Sequence, residues 1–501
     1  MKEKVKDLKA RLAEISDLSN AAALLHWDQQ TYMPPGGAEA RARQLGTLNR
    51  IAHEKFIDNT IGDLLNELQE YAGSLSYDSD HASLIRVTKR DYDKARRIPP
   101  SLISEIAEAS AKAFDAWQKA RAEFRFATFA PHLERNITLK KRYAECLGYT
   151  NRIYDPLLDQ YEPGMTTTQI ETIFMNMKQE IVSLLQAITP KMDIVDSSFL
   201  HQAFDEAKQW DIGVKVARLF GYAFECGRLD RSPHPFTTSF STNDVRITAH
   251  FMQDYFPAAF FAILHEVGHA LYNQGIRYEL ERTPLAEGAS LGTHESQSRL
   301  WENLVGRSRA FWKFFMPHLK DAFPEEFHNI YSENMYRGVN RVEPSYIRVE
   351  ADEITYNLHV IIRFELEIAL LEDTITVDDL PWMWDNKMEE YLGIIPPDDV
   401  RGALQDIHWS SGSFGYFPTY SIGNIFAAQL FDHIKKEIPD IEAYIEKGGF
   451  QKLLDWLHEN LYIHGRKFTL NELANKITGK PLQIDPFIQY LKNKFGEIYA
   501  L

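Results

Sequence analysis

The chain has 501 residues, 44% hydrophobic and 25% charged, the make-up of an ordinary globular protein built as two lobes or one large helical body. A formal net charge of −16 argues against nucleic acid, which needs a basic footprint, and against an anionic membrane surface. Cys146 and Cys226 are the only cysteines and neither belongs to a CxxC pattern, which argues against a thiolate metal site and a disulfide framework.

Val5, Leu8, Leu12, Ile15 and Leu18 recur at three- and four-residue steps and predict an amphipathic helix from about residue 4. The charged start lacks the apolar core of a signal peptide, and no apolar run is long enough to span a membrane, so a cytoplasmic address is expected. The first helix runs towards Leu25-His26-Trp27-Asp28-Gln29 and stops at Met33-Pro34-Pro35-Gly36-Gly37. His26 beside Asp28 reads as a hydrogen-bonded structural histidine in preference to a catalytic one. Helical patterning resumes from Ala38 to about Leu147, with a break at Ile98-Pro99-Pro100 and solvated, charge-alternating faces such as Lys89 to Lys94. Residues 150 to 165 interrupt it, and Thr167 starts a further helix towards Ile188.

Phe236 to Phe251 changes character. Thr237, Thr238, Phe240, Thr242, Val245, Ile247 and Thr248 make it β-branched and aromatic, with a turn at Asn243-Asp244. A small hairpin or short sheet is expected there, and such a strand can pair with an extended peptide. An apolar helix follows from Phe256, with Pro257 in the tolerant first turn. Into it are set His265, Glu266 and His269. The histidines, four apart, share one face and can converge on a single Zn²⁺, while Glu266 points about 100° away and is placed to act as a general base. Gly268 sits mid-helix at a cost of about 1 kcal/mol against alanine, which suggests that something approaches the backbone there.

A catalytic zinc takes three protein ligands and keeps one position open. No third histidine follows at the short spacing of the metzincins, so the third ligand is sought among Glu279, Glu281, Glu287, Glu295 and Glu302. Spacing does not choose among them. Glu295 is favoured because the helix opening at Leu291 is expected to return antiparallel and aim it at the metal. Helices are expected from 325 to 375, separated from the last third by Thr376 to Trp384. Asp399 or a neighbour is expected to cap a short helix. The glycine- and aromatic-rich run from Gly402 to Gly423 reads as an active-site loop on a helical scaffold. No repeat or long linker appears, so residues 1–501 read as a single domain.

His265-Glu266-Val267-Gly268-His269 followed by His294-Glu295-Ser296-Gln297 resembles the carboxypeptidase Taq family of zinc metallocarboxypeptidases. His234-Pro235-Phe236, Asp244 to Thr248, Ile347 to Asp352 and Gly402 to Trp409 match the same family, as do the Leu25 to Gln29 and Met33-Pro34 strings. The resemblance implies a nearly all-helical fold similar to neurolysin, with two halves around a deep groove. It implies peptide substrates, a homodimer, and one zinc per chain, or sometimes cobalt. Single residues would be released from peptide C-termini with broad preference. The strings holding His234 and Arg246 are associated in the family with the closed end of the groove.

On this reading His265, His269 and Glu295 hold the metal and Glu266 is the base. His408 and Tyr420 are the candidates for stabilising the oxyanion, with Tyr416 as substitute for Tyr420. A carboxypeptidase must also grip a free α-carboxylate, best done by a guanidinium fork. Arg348 is the first candidate, oriented by Glu350 or Asp352, and Arg246 is its rival. The alternatives are an endopeptidase or dipeptidase with the same metal site, and a non-catalytic helical binding protein closing a structural zinc with a fourth ligand.

Overall fold

The computed structural model describes residues 1–501 and is predominantly helical, with one small sheet. The chain forms two compact units, each drawn from three separate stretches. The first holds Met1–Ala95, Asp196–Val339 and Phe426–Leu482; the second holds Arg96–Val195, Asn340–Ile425 and Gln483–Leu501. No helix is long and apolar enough to cross a membrane.

The first unit opens with helix α1 (Lys2–Thr31), which buries Val5, Leu8, Leu12 and Trp27 along one stripe and ends just before Met33-Pro34, as expected. Trp27 lies against the guanidinium groups of Arg228 and Arg246, 5.4 and 4.5 Å from the ring centroid, which docks the helix end onto the sheet. The His26 expectation is corrected: that side chain is exposed, and Asp28 instead accepts from Arg41 Nη2 at 2.7 Å.

Three strands make the sheet: β1 (Leu229–Arg231), β2 (Thr237–Ser241) and β3 (Asp244–Ala249), in the order β1-β3-β2. The expected hairpin is β2–β3, antiparallel with Thr237 opposite Ile247. β1 pairs parallel to β3 and was not foreseen, because three residues carry no alternation to read. β2 is left as an edge. Val245, Ile247 and Ala249 of β3 are fully buried. Against the sheet lies helix α2 (Phe256–Gly275), which carries the His-Glu-x-x-His string.

Ser290 caps helix α3 (Leu291–Arg299) by accepting from Thr293 N, and α3 runs on into a π-helical turn, Leu300–Val305. Its approach to α2 is set at Gly268. A methyl group there would stand 2.5 Å from the Gln297 carbonyl oxygen and 2.6 Å from Ser298 Cα. The expected close approach is therefore the backbone of α3 itself.

In the second unit, helix α4 (Thr355–Leu371) is buried nearly all round. Among its apolar residues stand His359, Arg363 and Glu367, four apart and each fully buried. The expectation of helices through 325–375 needs correcting. Between Ser332–Gly338 and α4 the chain is irregular except for a single turn at Arg348–Glu350. Asp352 there accepts from Glu343, Ile354 and Thr355 backbone N–H groups, local bonds that compete with a continuous helix. Leu380–Leu392 is also a helix, so the Thr376–Trp384 separator is shorter than expected. Of the expected capping pair it is the neighbour Asp398 that caps the turn that follows, accepting from Arg401 N at 2.9 Å, while Asp399 Oδ2 accepts from Phe126 N at 2.7 Å. Turns then lead to helix α5 (Pro418–Glu437).

Gly268→Ala gains about 1 kcal/mol of helix propensity but drives a methyl into backbone that cannot rotate away, and overpacking of this kind costs about 1–3 kcal/mol or more. A lowered melting midpoint with weakened metal retention is expected. An unchanged melting curve would show that the helices part at no cost.

Candidate metal centre and donor cluster

His265, His269 and Glu295 are brought together by α2 and α3, with their ligand atoms within 4.8 Å of one another. Glu295 Oε2 is 3.6 Å from His265 Nε2 and 3.5 Å from His269 Nε2. Tetrahedral ligands at roughly 2.0–2.1 Å from a zinc ion would stand about 3.4 Å apart, so the donor set fits that ion.

The other imidazole nitrogens are engaged, which fixes the tautomers. His265 Nδ1–H donates to Glu302 Oε2 at 2.9 Å. His294 Nε2 lies 2.9 Å from Asn273 Oδ1, an atom that only accepts, so His294 donates there and its Nδ1 accepts from His269 Nδ1–H at 2.6 Å. Both candidate ligand histidines are thus left with a lone pair on Nε2, facing Glu295.

Burial by itself would raise the Glu295 carboxyl, but Arg299 and the two histidines outweigh it and hold the group well below the usual carboxylate range. Arg299 is placed by helical spacing: its Nε donates to Glu295 Oε1 at 2.7 Å and its Nη1 to Glu302 Oε2 at 3.2 Å. Glu302 was foreseen only as an alternative ligand, and it stands behind His265 instead. Glu281, another alternative, accepts from Ser241 and Thr242. Glu279 and Glu287 are exposed.

Glu266 is buried beside this trio but outside it. Its Oε2 accepts from Thr237 Oγ1, on the sheet edge, at 2.6 Å. Arg246 is forked onto Asp244 of its own strand, at 2.8 and 2.9 Å. His234 is exposed, and its carbonyl accepts from Ser232 Oγ.

The remaining candidates cluster in the second unit. Arg348 is buried, and its expected partners Glu350 and Asp352 are not the ones it takes. Nε and Nη2 both donate to Asp406 Oδ1, at 3.1 and 2.9 Å, and Nη1 donates to Tyr356 OH at 3.1 Å. Arg363 donates from Nε to Asp406 Oδ2 at 2.6 Å. Sequence reasoning missed it, although an arginine inside a greasy helix is a visible signal. Burial works against the Asp406 carboxylate, yet the two guanidiniums hold it well below the usual range. One carboxylate therefore serves two cations.

His408 stands at the edge of this cluster, its ring tilted against Phe417 with centroids 4.4 Å apart and its Nε2 3.2 Å from Tyr420 OH. Burial, which Asp406 only partly counters, lowers its pKa to about 4 and keeps it neutral near pH 7. The 3.9 Å approach of its Nδ1 to Asp406 is accordingly not an ion pair, and that nitrogen is buried without a hydrogen-bond partner. Tyr416 packs edge-on against Tyr420, with ring centroids 5.3 Å apart, and 5.2 Å from His408.

The family described as Carboxypeptidase Taq (M32) metallopeptidase matches residues 7–495. The chain belongs to that family. It is a metallocarboxypeptidase, a hydrolase of peptide bonds. Carboxypeptidase 1 of Bacillus subtilis is 38% identical over 490 residues, covering 98% of this chain and 97% of the relative. Thermostable carboxypeptidase 1 of Thermus thermophilus is 39% identical over 498 residues, covering 97% of each. Among solved structures, the M32 carboxypeptidase of Deinococcus radiodurans superposes with a TM-score of 0.96 at 39% identity, covering 100% of both chains.

With His408 depressed from 6.5 to about 4, the unfolded chain takes up its proton first as pH falls. Its contribution to stability is thus whole above pH 6.5 and is lost towards pH 4, by about 3 kcal/mol. The melting midpoint of His408→Gln is expected to fall less steeply than wild type over that window. Parallel curves would mean that His408 titrates normally.

Proposed function

We propose that the metallocarboxypeptidase uses zinc held by His265, His269 and Glu295, with Glu266 as its general base. The chemistry of the donor set carries the reading: two Nε2 lone pairs and one carboxylate, three ligands where a structural zinc takes four. Zinc supplies Lewis acidity and a lowered water pKa. Glu266 accepts the proton of the attacking water and returns it to the leaving amine, while Thr237 orients its carboxylate. The tetrahedral oxyanion is assigned to neutral His408 and to Tyr420, with Tyr416 as the second choice; a donor of that kind is worth about 2.7–4 kcal/mol. His234 and Arg246 are assigned to the limit on peptide length.

What favours release of a terminal residue over internal cleavage is charge. Arg348, Arg363 and Asp406 leave one buried cation uncompensated, and His408 beside them is neutral, so an anion is called for. A peptide α-carboxylate meets that need, with Arg348 as the anchor. Broad side-chain preference and a homodimer follow from the family resemblance and belong to the same proposal, as does a cytoplasmic address.

Glu266→Gln is expected to retain metal and lose about 10²–10⁴-fold in kcat. A variant of full activity removes Glu266 from the reaction.

Arg348→Lys should cost about 10–150-fold in kcat/KM, because a point charge cannot span Asp406 and the substrate together. A C-terminally amidated peptide should impose a similar loss on the wild type, and the two losses should not add. Equal cleavage of amidated and free peptides would overturn the exopeptidase reading; full additivity would pass the anchor to Arg246.

A further inference from the structure

Glu367 of α4 is fully buried and has no part in the reaction just described. Its carboxylate accepts three hydrogen bonds. Trp409 Nε1–H reaches Oε1 at 2.9 Å, while Tyr154 OH and the Gly415 N–H reach Oε2 at 2.7 and 3.0 Å. Tyr154 and Trp409 are themselves buried. No cation is among the three partners, so the acid is retained against its own desolvation, which pushes it up to about 7.

The two loop partners bracket a defined segment. Trp409 directly follows His408, and Gly415 directly precedes Tyr416. Gly415 has φ +88°, and a methyl group on it would stand 2.6 Å from the Leu157 carbonyl, so the loop backbone is pressed onto the short helix Asp155–Leu158 that follows Tyr154. Asn136 Nδ2 adds bonds to the carbonyls of Trp409 and Ser410, at 2.9 and 3.1 Å. The Ser413 N–H closes the loop on the His408 carbonyl at 2.8 Å.

We propose that Glu367 is a positioning residue: its carboxylate ties both ends of the 409–415 loop to α4 and so sets the orientation of His408 and Tyr416. The proposal rests on the assignment of His408 to the reaction. The choice of an acid follows from the partners, since all three donate. A glutamine of the same shape can accept from Tyr154 and Gly415 through its single oxygen, but its amide then points N–H at the Trp409 N–H.

That mismatch supplies the test. Glu367→Gln is expected to fold and keep its metal, and to lose about tenfold or more in kcat with KM changed less than about threefold. Adding Trp409→Phe removes the opposed donor, so the double variant should return to the rate of Trp409→Phe alone. Wild-type kcat in Glu367→Gln, or fully additive losses in the double variant, would overturn the proposal. Should Glu367→Gln not fold, Tyr154→Phe deletes one donor and leaves the acid; an expected kcat loss of about threefold or more supports the strut, and an unchanged kcat refutes it. His408→Phe run in parallel separates the two readings. Full activity in that variant sinks the role of His408, whereas an impaired His408→Phe beside a fully active Glu367→Gln sinks only the strut.

Discussion

The backbone of α3 crosses α2 with no side chain between them, and that contact at Gly268 is the constraint on which the metal centre depends. Histidines four apart on one helix offer two candidate ligands by periodicity alone. The third must come from another helix at one particular height and distance, and a side chain at 268 would hold that helix away. Glycine weakens α2 locally by about 1 kcal/mol. It is retained where the neighbour's backbone occupies the space of the missing methyl. The π-helical turn after α3 then continues the line to Glu302, whose carboxylate reaches the back of His265.

Each unit also carries a charge imbalance of opposite sign. Around the metal trio, Glu295 and Glu302 pair with Arg299 and Arg307, and the Glu266 carboxylate is buried beside them. In the second unit, two arginines share one aspartate. Buried charge that its own neighbours do not neutralise is costly, and both clusters therefore favour a ligand of the complementary sign. A divalent cation suits the first, and an α-carboxylate suits the second.

The metal centre was legible because its residues violate their surroundings: His265, Glu266 and His269 sit in a helix otherwise built for burial. The same inspection of Thr355–Leu371 would have singled out His359, Arg363 and Glu367 at four-residue steps. Arg348 stands in the Ile347–Asp352 string that resembles the family and is visible for that reason, whereas Arg363 stands in no such string. Partners were harder. Glu350 and Asp352 were chosen for Arg348 by proximity along the chain, whereas Asp406 arrives from 58 residues away. The helix Thr167–Ile188, a long periodic stretch, was readable at both ends. Short, irregular pieces set by side-chain-to-backbone bonds were not, β1 and the 340–354 segment among them.

The order in which the chain is threaded has a consequence for synthesis. The candidate ligands and their supports lie between residues 265 and 302, yet the walls of their unit come partly from Phe426–Leu482. Tyr462 donates to Gln297 Oε1 at 3.2 Å, fastening α3, and the Arg466 N–H bonds to the Leu285 carbonyl at 3.1 Å, fastening the loop that joins α2 to α3. Between them the ribosome must deliver a long part of the second unit. The nascent metal-binding helix, apolar over most of its surface, thus waits for over 150 residues before its enclosure is complete, a dependence on distant contacts that slows folding and exposes hydrophobic surface in the meantime.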